Sequence, residues 1–246
     1  MPPVNVLCIK WGTKYGPEYV NILHSMVSRH LKRPHRFVCL TDDAAGIAAH
    51  IETRPMPRVG FKDFDEMQPW ARAHGWLKIT SFASPLYDLA GPTLFIDLDV
   101  VIVDELDSFF DFPGEFVVIK EWDKHDGTGN TSVYRFNAGA HADVLQTLIN
   151  DPDGAQRSYR NEQQFVTTLL ARQGKMGFWP DAWCRSFKRH CVRTHVLNLF
   201  LPPRIPEGAR IIAFHGKPNP PDAIAGRSGK WYRRVIPTDW VKDHWR

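Results

Sequence analysis

Ten consecutive residues, Leu94 to Val103, read Leu-Phe-Ile-Asp-Leu-Asp-Val-Val-Ile-Val, and no other stretch limits the fold of this chain so tightly. A run this apolar and β-branched predicts a strand buried on both faces, as in a sheet covered by helices. Asp97 and Asp99 interrupt it. Residues two apart in a strand point to the same face, so both carboxylates are expected side by side in apolar surroundings. Burying one unpaired carboxylate costs several kcal/mol, and a second nearby adds repulsion. A divalent cation that prefers oxygen ligands, Mg²⁺ or Mn²⁺, offsets both. The other outcome is a strand that ends at Asp97, with the carboxylates solvated or paired with arginine.

The residues before this run predict the start of an α/β domain. Val4 to Ile9 reads as a buried strand, and Trp11 to Gly16 as a loop. Pro17 opens a helix with Val20, Leu23, Val27 and Leu31 on its apolar face. Arg36 to Thr41 is a second strand. Strand, helix, strand implies a parallel pair in an α/β sheet. Residues 52–69, rich in Pro and charge, read as an irregular loop, and Trp76 to Ala83 as a helix. Glu115 to Trp122 reads as a strand, Lys124 to Thr131 as a loop, and Ala138 to Ile149 and Glu162 to Gln173 as helices. Arg210 to Phe214 is a late strand that ends at His215-Gly216-Lys217-Pro218.

With 246 residues, 43% apolar and 24% charged, the composition is that of a globular chain with one large domain. It excludes disorder, collagen and coiled coil as whole-chain answers. Cys8 and Cys39 lie in apolar runs, and Cys184 and Cys191 are too far apart for a C-x-x-C signature. Asn5, Lys10, Lys14 and Glu18 do not fit a signal peptide. The longest apolar run falls short of the ~20 residues a membrane span needs. The expectation is a soluble, cytoplasmic protein. Asn130-Thr131-Ser132 fits a glycosylation sequon, which matters only in a secreted chain.

Charge is uneven. Residues 183–246 hold 13 Lys+Arg and 4 Asp+Glu, whereas the first 182 hold 18 and 23. A basic C-terminal quarter suits a phosphate-bearing ligand, an anionic membrane surface or a plain solvated face. Nucleic acid is the weakest option and is not expected as a partner, because no helix-turn-helix, zinc-finger or RNP pattern appears.

Phe95-Ile96-Asp97-Leu98-Asp99-Val100-Val101-Ile102, followed by Leu106-Asp107-Ser108-Phe109-Phe110, resembles the D-x-D segment of GT-A glycosyltransferases. It is most similar to the retaining glycogenin and bacterial lipopolysaccharide galactosyltransferase family, family 8. Other matches follow in that family's order: Trp76-Leu77-Lys78, Asn130-Thr131-Ser132-Val133, Glu162-Gln163 and Phe214-His215-Gly216-Lys217-Pro218. The resemblance implies a single Rossmann-like GT-A domain over residues 1–220. Its mixed, mostly parallel central sheet would be flanked by helices, and residues 221–246 would form a basic, aromatic tail. It implies Mn²⁺ (or Mg²⁺) on Asp97, Asp99 and His215, and a UDP-sugar donor contacted by Lys10, Tyr15, Asp42, Lys78, Asp97, Gly216 and Lys217. Asn130, Glu162 and Gln163 would line the sugar as catalytic residues. The activity implied is retaining transfer of a hexose to a carbohydrate or lipid-linked hydroxyl acceptor. The closing motif is shorter than the family's His-x-x-Gly-x-x-Lys-Pro, and Thr131-Ser132 stands where the family has Ser-Gly.

The residues taken alone leave other readings open. Asp97-Leu98-Asp99-Val100-Val101 also fits the loose pattern of haloacid-dehalogenase-like phosphohydrolases, with Asp97 as nucleophile, although no acidic pair follows. A non-catalytic nucleotide- or carbohydrate-binding protein on the same scaffold is a third. Trp231, Tyr232, Arg233, Arg234, Trp240, Lys242, Trp245 and Arg246 suit either peripheral contact of residues 228–246 with the inner membrane face or packing of the tail onto the fold.

Overall fold

The structure is a computed structural model and describes residues 3–57, 75–123, 126–193, 195–228 and 235–246. β1 (Val4–Lys10) is buried throughout. Its alternation divides the interior: Val4, Val6 and Cys8 face one apolar cluster, and Leu7 and Ile9 face another. α1 (Pro17–His30) covers the first face through Val20, Leu23, Met26 and Val27. It returns the chain to β2 (His35–Thr41), which pairs in parallel with β1 from Val4↔His35 to Lys10↔Thr41. Strand, helix and parallel strand therefore follow the sequence reading.

β3 (Glu52–Pro55) corrects the loop expected from residue 52 onward. It is an edge strand, where Pro and alternating charge are tolerated because one side makes no ladder bonds. Arg36 of β2 pairs with its Glu52 at 2.8 Å. The remainder of that expected loop, residues 58–69, lies outside the described residues. Trp76–Phe82 is a 3-10 helix, and all seven of its residues are buried rather than one face of them.

The long apolar run is not one strand. β4 (Pro92–Ile96) lies in the central sheet beside β1, and β5 (Val100–Ile102) belongs to a second sheet. Between them the Asp97 N–H still donates to the Ser132 carbonyl, and the Asp99 carbonyl accepts from Phe214 N–H. The chain leaves one ladder and enters another across Asp97-Leu98-Asp99. Both halves are buried, so hydropathy stays high through the break.

Five further strands complete the sheets: β6 (Phe116–Lys120), β7 (Gly129–Asn137), β8 (Met176–Phe178), β9 (Cys184–Ser186) and β10 (Ile211–Ala213). The central sheet runs β3-β2-β1-β4-β7-β6-β8, with four of its six pairings parallel. The small sheet runs β5-β10-β9. β7 corrects the loop expected up to Thr131: Gly129, Asn130 and Thr131 lie on a strand. α2 (Asp107–Asp111) follows β5, and its last carbonyls are met by the buried guanidinium of Arg135. α3 (Ala142–Asn150), α4 (Pro152–Ser158) and α5 (Glu162–Arg172) cover the second face.

The C-terminal residues pack onto the body. In α6 (Pro220–Ile224) and α7 (Asp239–His244), Ala223 and Val241 are fully buried in the first cluster. Trp240 and Trp245 pack against it; the Trp240 indole N–H donates to the Pro203 carbonyl at 3.0 Å. These two tryptophans belong to the fold rather than to a free tail. Trp231, Tyr232, Arg233 and Arg234 lie outside the described residues. No helix among the described residues is long and apolar enough to cross a membrane.

Candidate functional site

β1 and β4 run in parallel and end at the same edge of the sheet, at Lys10 and Ile96. In such sheets ligands collect outside the carboxyl ends of the strands. At that edge lies a cavity of 470 Å³, lined by Trp11, Gly12, Thr13, Lys14, Tyr15, Gly75, Lys78, Asp97 and Asp99 among others. The two aspartates meet here because the chain bends out of the sheet, not because a regular strand continues through them.

The carboxylates are neighbours. Burial and the charge of Asp97 push Asp99 up to about 6, and the Tyr15 hydroxyl works in the opposite direction by donating to Asp99 Oδ2 at 2.7 Å. Tyr15 itself is pushed upward by burial and by Asp99, so it stays protonated as that donor. Lys78 Nζ lies 2.9 Å from Asp97 Oδ1 and 3.4 Å from Glu162 Oε1, and it also donates to the Thr131 carbonyl at 3.3 Å. Burial alone would lower Lys78, but the charges of Asp97 and Glu162 outweigh it and hold the ammonium above its ordinary value.

Glu162 opens α5, whose N-cap Asn161 accepts from the Gln164 N–H. Burial raises Glu162 although Lys78 opposes it, and its Oε1 accepts from the Thr131 hydroxyl at 2.7 Å. Gln163 Oε1 accepts the Thr131 N–H at 2.9 Å. Gly75 precedes the 3-10 turn at φ +75°, and a Cβ there would stand 3.4 Å from the Glu162 carboxylate. That is ordinary contact, so it is the left-handed backbone conformation at Gly75, rather than lack of space, that favours glycine there.

The other expected residues fall in different places. Asp42 Oδ2 accepts the Gly12 N–H at 2.9 Å and so braces the first loop. Lys10 is buried and donates to the Asp43 carbonyl. Neither is among the residues lining the cavity. Asn130 Oδ1 accepts the Ser132 N–H, and its amide faces Glu121 at 3.4 Å. Gly216 and Lys217 are exposed.

His215 does not join the carboxylates. Its backbone follows Phe214, which is bonded to Asp99, but its ring stacks on Trp122 at 5.6 Å, and its Nε2 is 2.7 Å from the Ser186 hydroxyl. Burial and the nearby Lys188 cation lower it, so the imidazole is neutral at pH 7. Lys188 donates to the His215 carbonyl. Among the described residues no three of His, Cys, Asp and Glu form a metal-holding group. The expected set of Asp97, Asp99 and His215 is thus represented in this arrangement by its two carboxylates. That pair still suits a hard cation: Asp97, Asp99 and Glu162 face the ammonium groups of Lys78 and Lys14 with one negative charge in excess when all are ionised. Mg²⁺-type sites commonly combine one or two carboxylates with substrate phosphates.

Beside His215 lies a second cavity of 210 Å³, lined by Glu121, Trp122, Trp179, Arg185 and His190 among others. Glu121 connects it to Asn130 and so to Thr131, which touches Lys78 and Glu162. No local sequence pattern marks Glu121, Trp122 or Ser186 as site residues. Lys188 alone belongs to a visible signal, the crowding of basic residues from Arg185 to Arg189.

No sequence-family model matches the chain, and no curated protein is significantly similar to it in sequence. The likeness is to the fold of solved structures. A galactosyltransferase, LgtC, in complex with donor and acceptor sugar analogs, superposes with a TM-score of 0.58 over 88% of each chain at 12% identity. The apo form of the glycosyltransferase GlyE from Streptococcus pneumoniae TIGR4 superposes with a TM-score of 0.63 over 99% of this chain at 12% identity. This chain spans 60% of GlyE's length. The fold expected from the D-x-D resemblance is therefore present: a mixed, mostly parallel sheet of the GT-A kind, flanked by helices.

Proposed function

We propose that the chain is a glycosyltransferase that moves a hexose from a UDP-sugar to a hydroxyl acceptor, with retention of the anomeric configuration. Mn²⁺ or Mg²⁺ would be held by Asp97 and Asp99 together with the donor diphosphate. The observation that carries this reading is the carboxylate pair beside a buried lysine, at the sheet edge and facing a 470 Å³ cavity. The fold shared with LgtC and GlyE supports the reaction class. The choice of UDP, and retention, rest on the family resemblance of the motifs.

A bound divalent cation would neutralise charge on the leaving diphosphate. The protein's own part is positional. Lys78 fixes Asp97 and Glu162 relative to each other, and the Tyr15 hydroxyl orients Asp99. Asp42 and Gly12 set the loop that closes the nucleotide side. Glu162 and Gln163, both locked through Thr131, present fixed dipoles and negative charge toward the sugar, where positive charge develops as the donor bond breaks. Lys217, exposed beside His215, is within the chain's closing motif for the phosphates. The second cavity, with its tryptophans, is assigned to the acceptor.

The test is product formation from UDP-hexoses and a panel of hydroxyl acceptors, by wild type and by Asp99→Ala. Wild type should form product only with the cation, and Asp99→Ala should form none while keeping its fold. Equal turnover by the variant overturns the reading. Donor binding without turnover would point to a binding protein, and phosphate release from an aryl phosphate to a phosphohydrolase.

A further inference from the structure

Five large apolar side chains are exposed among the described residues, and four of them stand within five consecutive positions: Leu197 at 52%, Leu199 at 44%, Phe200 at 72% and Leu201 at 42%. Single exposed apolar residues need no explanation, but a contiguous group marks a contact surface. The segment is held out in a defined shape. The Leu201 N–H donates to the Leu197 carbonyl at 2.9 Å, and the Arg204 N–H to the Cys191 carbonyl at 3.0 Å, which closes the loop at its base. Pro203 is buried, and its carbonyl accepts the Trp240 indole N–H. The apolar tip therefore projects from a pinned loop.

Its surroundings are basic. From Arg185 to Arg204 the chain carries Arg185, Lys188, Arg189, Arg193 and Arg204 and no Asp or Glu. Arg189 is offset by Asp123 from another element at 2.7 Å, and Lys188 is engaged with the His215 carbonyl. Arg193 and Arg204 flank the tip directly, and Arg204 is exposed.

We propose that residues 197–201 are a membrane-docking tip that enters the surface of an anionic lipid bilayer, with Arg193 and Arg204 at the level of the headgroups. Apolar side chains backed by cations are what the boundary between acyl chains and anionic headgroups selects. A second copy of this chain is a poorer occupant, because it would bring the same basic surface against itself. This assignment differs from contact through residues 228–246, since Trp240 and Trp245 are packed into the fold. It does not depend on the sugar-transfer reading.

The test is co-sedimentation of the full chain with vesicles of phosphatidylcholine alone and with vesicles containing phosphatidylglycerol. Wild type should partition onto the anionic vesicles and much less onto the neutral ones. Leu199→Ser/Phe200→Ser should reduce that binding about tenfold or more at an unchanged melting temperature. Arg204→Glu should weaken binding to anionic vesicles severalfold and flatten its salt dependence. The proposal is overturned if the double variant binds as wild type does, if neutral and anionic vesicles bind equally, or if Arg204→Glu has no effect. It is overturned equally if wild type self-associates without vesicles and the double variant does not, which would assign the tip to a second copy.

Discussion

Lys78 is the buried cation between two carboxylates, and the order of the site turns on it. Burial works against its charge, so the ammonium persists because Asp97 and Glu162 are close. Removing one member of such a group leaves the others charged and unpaired, which typically costs about 3–5 kcal/mol. Lys78→Met should therefore lower unfolding stability by about that amount, measured as a shift in the urea midpoint. Glu162→Gln placed in the Lys78→Met background should restore part of the loss, because it removes a charge that has lost its partner. If the double variant is as unstable as the sum of the two single changes, Lys78 and Glu162 are not coupled. At this scale much was legible in the sequence. Asp97, Asp99, Lys78, Glu162 and Gln163 are all expected as site residues. Lys78, Glu162 and Gln163 meet at Thr131, Asp97 joins them through Lys78, and Asp99 stands beside Asp97 with the Tyr15 hydroxyl on it. His215 follows a strand as expected, but its ring faces Trp122 and Ser186 rather than joining the two carboxylates as the third ligand expected of it. Side-chain direction beyond the last ladder bond depends on neighbours distant in sequence, and no local pattern encodes it.

Among the elements, the turn between α1 and β2 is tied to α2 by one carboxylate. Asp107 accepts the Lys32 and Arg33 N–H groups and pairs with the Arg33 guanidinium at 3.0 Å. Burial tends to raise this aspartate, but those donors prevail and hold it below its ordinary value. A carboxyl depressed in the folded state stabilises the fold above its unfolded pKa of about 3.9, and that contribution is lost as pH falls through the folded value. The stability difference between wild type and Asp107→Asn should therefore be constant near neutrality and shrink as the pH drops below about 4. A difference that persists unchanged into strong acid would show that the charge is irrelevant. The elements most easily read were those with one strong period, β1, α1 and β2. The run from Leu94 to Val103 misled because β4 and β5 are equally buried in two different sheets, so only the aspartates mark the crossing. β7 was hidden at its start by Gly127, Gly129 and Asn130, which locally favour a turn; pairing with β4 and β6 overrides that preference.

Over the whole molecule, the sequence announced an α/β domain and a basic C-terminal quarter, and both are present. What it did not show is where that quarter goes. Its tryptophans at 240 and 245 close the body, and among the described residues its exposed large apolar side chains collect instead at 197–201. Packing decides this, because an aromatic residue near a chain's end suits a core or a membrane interface equally well. The central claim concerns the sheet edge: two crowded carboxylates are retained there to bind a cation together with a nucleoside diphosphate. Calorimetric titration of UDP into the chain, with and without Mn²⁺, tests it most directly when repeated on Asp99→Ala. The account predicts UDP binding that requires Mn²⁺ and disappears in a variant that still melts cooperatively. Binding of equal strength without the cation, or undiminished in Asp99→Ala, would contradict it.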